Sequence, residues 1–322
     1  MRRTFLFGLA LVGSAVLSLA QSATAQTPTE IKIDWATYNP VSLILKEDRL
    51  LEQRLSGTTV RWVQSAGSNK ALEFLNAGSL DFGSTAGAAA LLARINGNPV
   101  RAVYVYSKPE WTALVARPAT GIRTPEDLRG RRIAVTRGTD PHIFLVRALA
   151  SVGLTERDVR LVLLQHADGR AALAAGQVDA WAGLDPLMAR AELEDGAGLV
   201  FRRPDWNTYG TLLASDSIAT RHPAAVEAVI AAYEEARRRA VADPKRLADL
   251  LARAARIDAA VADRQLTRTD LSNPRLDAAV VETIQAAGLA LQQVGVIEPQ
   301  VDVAATVAAL IQPAWTARLA QR

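Results

Sequence analysis

The chain has 322 residues, 49% hydrophobic and 22% charged, which excludes collagen-like, low-complexity and broadly disordered classes and predicts two domains at about 150 residues each. It contains no cysteine, so disulfides, thiolate metal sites, a cysteine nucleophile and a lipid-modified N-terminal cysteine are excluded. A net charge of +4, from 37 basic and 33 acidic residues, points only weakly to anionic partners.

Arg2 and Arg3 precede an apolar run from Phe5 to Ala20, and Ala23-Thr24-Ala25 has the small-x-small pattern of a cleavage site. This predicts a secretory signal over 1–25, because the run is short for a membrane anchor and carries no flanking charge on its far side. Cleavage after Ala25 removes Arg2 and Arg3 and lowers the net charge to +2. No later apolar stretch is long and uncharged enough to span a bilayer, so an exported, soluble mature chain is expected.

Ile31 to Trp35 reads as a strand, followed by a helix built on Leu43, Ile44, Leu50, Leu51 and Leu55 and closed by Gly57. Val60 to Val63 is the next strand, Ser68 to Asn76 a helix stopped by Gly78, and Leu80 to Gly83 a short buried strand. Ser84 or Thr85 is expected to cap a helix running to about Asn96, before a strand at Val100 to Tyr106. Strands separated by helices predict a mostly parallel, doubly wound sheet.

A second such unit follows. Strands are expected at Thr112 to Arg117, Arg132 to Thr136, Val159 to Leu164, Val178 to Gly183 and Thr211 to Ser215. Thr124-Pro125-Glu126-Asp127 and Thr155 with Asp158 read as capped turns, Gly138-Thr139-Asp140-Pro141 opens a helix, and Asp168 starts another that stops at Gly176. From Pro223 onward the chain reads as helices without strands, and Arg237-Arg238-Arg239 after Glu234-Glu235 reads as a solvated face of ion pairs rather than a nucleic-acid patch. One short internal echo stands out: Leu75-Asn76-Ala77-Gly78-Ser79-Leu80-Asp81 matches Leu173-Ala174-Ala175-Gly176-Gln177-Val178-Asp179 in pattern. It predicts two lobes of similar build, each presenting a sheet edge to a shared cleft.

Several segments together point to a family. Trp62 to Gly67, Ala71 to Thr85, Leu128 to His142, Ala167 to Ala172, Val178 to Trp181 with Asp185-Pro186, and Gln293 to Ile297 resemble, in matching order, the aliphatic-sulfonate-binding proteins of ABC importers. These form part of the nitrate, sulfonate and taurine group of periplasmic solute-binding proteins. The resemblance implies an α/β, type II periplasmic-binding fold, with two doubly wound lobes around a cleft and a helical C-terminal tail on lobe one. Crossings are placed near Lys108 to Trp111 and near Tyr209 to Ser215, giving lobe one as 27–109 plus 214–322 and lobe two as 110–213. The implied protein is a periplasmic monomer that hands a small anionic ligand to an ABC permease in the inner membrane, without nucleic acid, metal or cofactor.

A sulfonate stays charged at any physiological pH, so its site needs hydrogen-bond donors and no proton acceptor. Helix N-termini supply free N–H groups and partial positive charge. The resemblance places Ser84-Thr85-Ala86-Gly87 at one such terminus, although capping alone is the ordinary use of such residues. Gly138 to His142 is the matching opening in lobe two, where Thr139 and His142 are candidates, Asp140 reads as a cap and Arg137 as a surface residue. Ser65, Gly67 and Ser68 follow a strand and face the cleft. Trp111 and Trp181 are candidate apolar walls, with ordinary core packing as the alternative. Glu110 and Asp185 would accept from an amine or hydroxyl on the ligand, and Asp185-Pro186 reads first as a helix cap. Many family members carry a Tyr-Gln pair after the first strand; here Ala36 stands in the Gln place, leaving Thr37, Tyr38 and Asn39 as candidates.

Three histidines occur, His142, His166 and His222, but no HExxH, Walker A, GxSxG or GxGxxG stands in the sequence. The related thiamine-pyrimidine synthases use a Cys-rich motif that a cysteine-free chain lacks. A non-enzymatic binding protein is therefore expected; the alternatives are a nitrate or thiamine-precursor binder, a ligand sensor, or an enzyme on this fold.

Overall fold

The computed structural model describes residues 27–321, and the export signal expected at 1–25 lies outside the described residues. The strands are β1 (Glu30–Trp35), β2 (Thr59–Gln64), β3 (Phe82–Ala86), β4 (Val100–Pro109), β5 (Leu114–Ala116), β6 (Arg132–Val135), β7 (Arg160–Leu163), β8 (Ala180–Ala182), β9 (Gly198–Phe201), β10 (Gly210–Ser215) and β11 (Thr269–Asp270). Helices α1 (Pro40–Glu47), α2 (Leu50–Arg54), α3 (Ser68–Asn76) and α4 (Gly87–Ile95) lie among the first strands. Helices α5 (Asp140–Ser151), α6 (His166–Ala174) and α7 (Leu187–Glu194) lie among the middle ones. The last third adds α8 (Asp216–Arg221), α9 (Pro223–Ala242), α10 (Pro244–Ala255), α11 (Ala259–Leu266), α12 (Ala278–Gln293), α13 (Val303–Leu310) and α14 (Ala314–Ala317). No helix among the described residues is long and apolar enough to cross a membrane.

The strands form two sheets, ordered β11-β4-β10-β3-β1-β2 and β7-β6-β8-β5-β9. In the first, β1 runs parallel to β2 and β3, so Ile33 lies level with Trp62 and Phe82. In the second, β6 runs parallel to β7 and β8. Ile31 and Ile33 are fully buried in a core shared with Tyr104, Tyr233 and the C-terminal helices. Smaller apolar clusters, around Phe144 and around Trp181, cover the two faces of the second sheet.

The echo is structural. Gly78 and Gly176 both take positive φ, which ends α3 and α6 where an L side chain would be strained. Asp81 then exchanges bonds with Lys32, accepting from its N–H and donating to its carbonyl, and Asp179 does the same with Arg132. Each acidic residue thus locks the start of its neighbouring parallel strand.

Several boundaries differ from expectation. The helix over 43–55 is two helices, broken where Arg49 adopts left-handed backbone. The strand expected at Leu80 to Gly83 is Phe82–Ala86, because the Leu80 N–H closes the end of α3 on the Phe74 carbonyl. Ser84 and Thr85 are therefore strand residues, and α4 starts only at Gly87 with Ala86 as its cap position. Likewise, Val178 closes α6, and β8 begins at Ala180. The second passage between sheets falls in 202–209 rather than at Tyr209 to Ser215, because β10 pairs with β3 and β4 along its whole length. The C-terminal third also supplies one strand, β11, whose two residues pair with Lys108 and Pro109. The expected ion pairs on α9 are present, with Arg237 and Arg238 on Glu234 and Arg239 on Glu235.

Candidate functional site

The carboxyl ends of β1, β2, β6 and β7 lead into 36–39, 65–67, 136–139 and 164–166. Ligands of open α/β sheets bind outside such strand ends. Two chain passages, 110–113 and 202–209, join the sheets there. They hydrogen-bond to each other, with Asn207 Oδ1 accepting from the Thr112 N–H at 2.9 Å. Asp140, the first residue of α5, ties both: its carboxylate accepts from Trp111 Nε1 at 3.0 Å, Thr208 N at 3.0 Å and Thr208 Oγ1 at 2.9 Å. This corrects its reading as a cap. Burial raises its carboxyl above the ordinary 3.8, with Trp111 and Thr208 opposing.

Two helix N-termini face each other across the gap. Helix α3 follows Gly67 and α6 follows Gln165, and neither position supplies a side-chain cap. A Cβ on Gly67 would stand 3.0 Å from the His166 ring and 2.9 Å from Asn69 Oδ1, so any side chain here would have to displace them. Asn69 Nδ2 reaches Gln165 Oε1 at 3.4 Å, closing the contact between the two units. His166 is 2% exposed, and neither ring nitrogen has a hydrogen-bond partner. Burial alone lowers its pKa to about 3. Ser65 is 2% exposed with its hydroxyl turned toward the Asp34 carboxyl, and Asn69 Oδ1 is buried without a donor. Orphaned polar atoms cost about 1–3 kcal/mol each and seldom persist without function.

Beside them, Asp34 at the end of β1 is fully buried, and burial raises its carboxyl to about 6 against the Ser84 N–H and the Ser65 and Ser84 hydroxyls. Tyr38 donates its hydroxyl to the Ser84 carbonyl at 2.8 Å and packs edge-on to Trp111, 6.2 Å between ring centroids. Tyr106 lies 6.4 Å from the same indole. The assembly offers N–H and hydroxyl donors and an aromatic wall.

The remaining expected residues have partners within the protein. Ser84 Oγ donates to Asp34 and accepts from Asn39 Nδ2, both at 2.8 Å, and Thr85 Oγ1 pairs with Thr211 Oγ1 inside the sheet. Neither lies at a helix terminus, and the α4 terminus is covered: Gly87 N donates to the Tyr209 carbonyl and Ala88 N to Thr208 Oγ1. Asn39 caps α1, while the Thr37 carbonyl accepts from Gln265. Thr139 donates to the Thr136 carbonyl at 2.6 Å. His142 Nε2 pairs with Glu156 at 2.8 Å, and Glu110 is clamped by Arg202 through two 2.7 Å bonds. Asp185 accepts from Ala189 N at 2.8 Å and from Arg268 at 3.0 and 3.1 Å; burial still raises it to about 6. Trp181 is fully buried in the core against Gly169.

His166 was not among the expected site residues. The echo contained its position: aligning Leu75 with Leu173 sets His166 opposite Ser68, and these are the residues at which α6 and α3 begin. Two surface cavities of about 640 Å³ each lie among the C-terminal helices near Arg237 and Trp315 and share no residue with the strand ends.

The family model described as NMT1/THI5 like matches residues 55–247. A relative from Escherichia coli (strain K12), provisionally named an aliphatic sulfonates-binding protein, is 32% identical over 230 residues, covering 71% of this chain and 72% of its own. Among solved structures, the alkanesulfonate-binding protein SsuA from Xanthomonas axonopodis pv. citri bound to MOPS has a TM-score of 0.80 at 30% identity, over 89% of this chain and 99% of that one. The periplasmic aliphatic sulphonate binding protein SsuA from Escherichia coli has a TM-score of 0.75 at 28% identity, over 89% and 93%.

Proposed function

Since the chain belongs to the NMT1/THI5-like family and has the α/β fold of periplasmic binding proteins, we propose that it is the periplasmic solute-binding component of an ABC importer and captures an aliphatic sulfonate. The observation that carries the reading is the pair of opposed helix N-termini without side-chain caps, with both ring nitrogens of His166 buried and unpartnered between them. A sulfonate brings three acceptor oxygens and one negative charge, which is the complement of such donors. Its organic tail would lie against Tyr38 and Trp111. The sulfonate-binding names of the relatives support the same ligand class.

In this reading the first sheet with the chain after the second passage forms one lobe, and 110 to about 209 the other. Ser65 and Gly67 stand on one and His166 on the other, so ligand joins the lobes and favours closure. The mature monomer would then present paired lobe surfaces to a membrane permease, with ATP hydrolysis elsewhere.

Thermal-shift titration with ethanesulfonate, longer alkanesulfonates, taurine, sulfate and nitrate tests this. Ligand at a hundredfold its Kd stabilises by about 2.7 kcal/mol, which a melting curve resolves. Gly67→Ala should weaken that shift while leaving the fold, because its methyl would stand 3.0 Å from the His166 ring across the gap. No stabilisation by any sulfonate sinks the ligand assignment.

A further inference from the structure

His166 has an obligation that nothing around it meets. A neutral imidazole carries one N–H donor and one acceptor nitrogen, and an imidazolium carries two donors. Both nitrogens are buried and unpartnered, at the N-terminus of α6, whose partial positive charge opposes a second cation. The charged groups on the elements packed around it are engaged elsewhere. Arg170 holds Glu194 and Asp195, Arg132 holds Asp179, Lys70 holds Glu73, and Asp168 is exposed. Asp34 at the strand end beside Ser65, Tyr38 and Asp140 are further titratable groups of the cleft.

We propose that ligand capture is coupled to the uptake of one proton by His166, which is neutral in the free protein and becomes an imidazolium when a sulfonate closes against it. This rests on the sulfonate reading above. The proton comes from water, since a sulfonate has none to give. The anion supplies the counter-charge and acceptor that the buried ring lacks, so the charged form is favoured only in the complex. Affinity should therefore tighten as pH falls, by up to about tenfold per pH unit while the free ring is neutral and the bound ring charged. An anion receptor built this way retains ligand better in mildly acidic surroundings.

The test is calorimetric titration of the full mature chain with ethanesulfonate at pH 6, in two buffers of different ionisation heat. Proton uptake near one per ligand is expected for the wild type, and near zero for His166→Gln, whose amide retains a donor. His142→Gln should keep the uptake. Nitrogen-15 spectra of labelled histidine in the wild type should show an imidazolium appearing with ligand, which keeps the test independent of how the variant folds. Binding without uptake overturns the coupling and leaves the sulfonate reading standing. Uptake that persists in His166→Gln assigns the proton to another group of the cleft and overturns it equally. Absence of binding at every pH removes both.

Discussion

Asp140→Ala should cost the protein about 2–4 kcal/mol at pH 7. The carboxylate takes four hydrogen-bond contacts from two residues, one on each passage between the sheets, at 2.9–3.0 Å. Oδ2 alone accepts from Trp111 Nε1 and Thr208 N. A methyl in its place accepts nothing and turns two buried donors into orphans, at about 1–3 kcal/mol each. Part of that loss is offset, because ionising a fully buried carboxyl is itself costly, as its raised pKa records. Urea unfolding at pH 7 reads the difference directly. The gap should narrow as the pH falls toward the raised titration of Asp140, where the wild type carries a protonated oxygen. Thr208 Oγ1 passes the tie on to Ala88 at the start of α4, so ligand affinity should fall with stability. A loss under about 0.5 kcal/mol would refute the assignment of both passages to this one carboxylate.

Three further outcomes follow from the same geometry. Gly169→Ala should destabilise by about 1–3 kcal/mol in a melting or urea experiment, since its Cβ would stand 2.7 Å from Nε1 of the immobile Trp181. Arg268→Ala should cost about 3–5 kcal/mol at pH 7.5, because it strands the buried Asp185 and leaves Glu192 unpaired. That cost should shrink by pH 5, below the titration of Asp185 near 6, when its carboxyl is protonated. For the unliganded protein, His166 is held near 3 when folded against 6.5 when unfolded, so its share of stability is complete above 6.5 and is lost as pH falls. His166→Gln should therefore gain on the wild type by about 2 kcal/mol between pH 6.5 and 5, read as the difference of two urea curves.

The alternation of strands and helices was legible because each buried parallel strand is a short apolar run with a glycine-closed helix before it. Ser68 to Asn76 matches to the residue, since Gly67 and Gly78 bracket it. The misplaced strand at 80–83 shows what the pattern hides. Leu80 and Phe82 are equally apolar, but Leu80 spends its N–H on the end of α3, a tertiary fact without a sequence mark. That two-residue shift moved Ser84 and Thr85 from a helix terminus into the sheet. The paired carboxylates Glu110 and Asp185 were likewise illegible as such, because Arg202 and Arg268 lie 92 and 83 residues away. β11, at two residues, carries no period to read.

Under the proposed function, opposed helix termini would hold an anion through neutral donors. A single helix terminus stabilises an exposed anion by about 0.3–1 kcal/mol, too little to hold a ligand against water. Here the two termini and their side chains are divided between the two sheets, with Ser65 and Gly67 on one and His166 on the other. Under the proposed function neither half would bind well alone, and almost all of the affinity would appear only when the halves meet. Gly67 leaves room for that meeting, since a methyl there would stand 3.0 Å from the His166 ring. A lysine or arginine in one half would reverse this, holding the anion in the open form and uncoupling capture from closure. Fixed dipoles and neutral donors, each weak and each one-sided, make closure report the ligand.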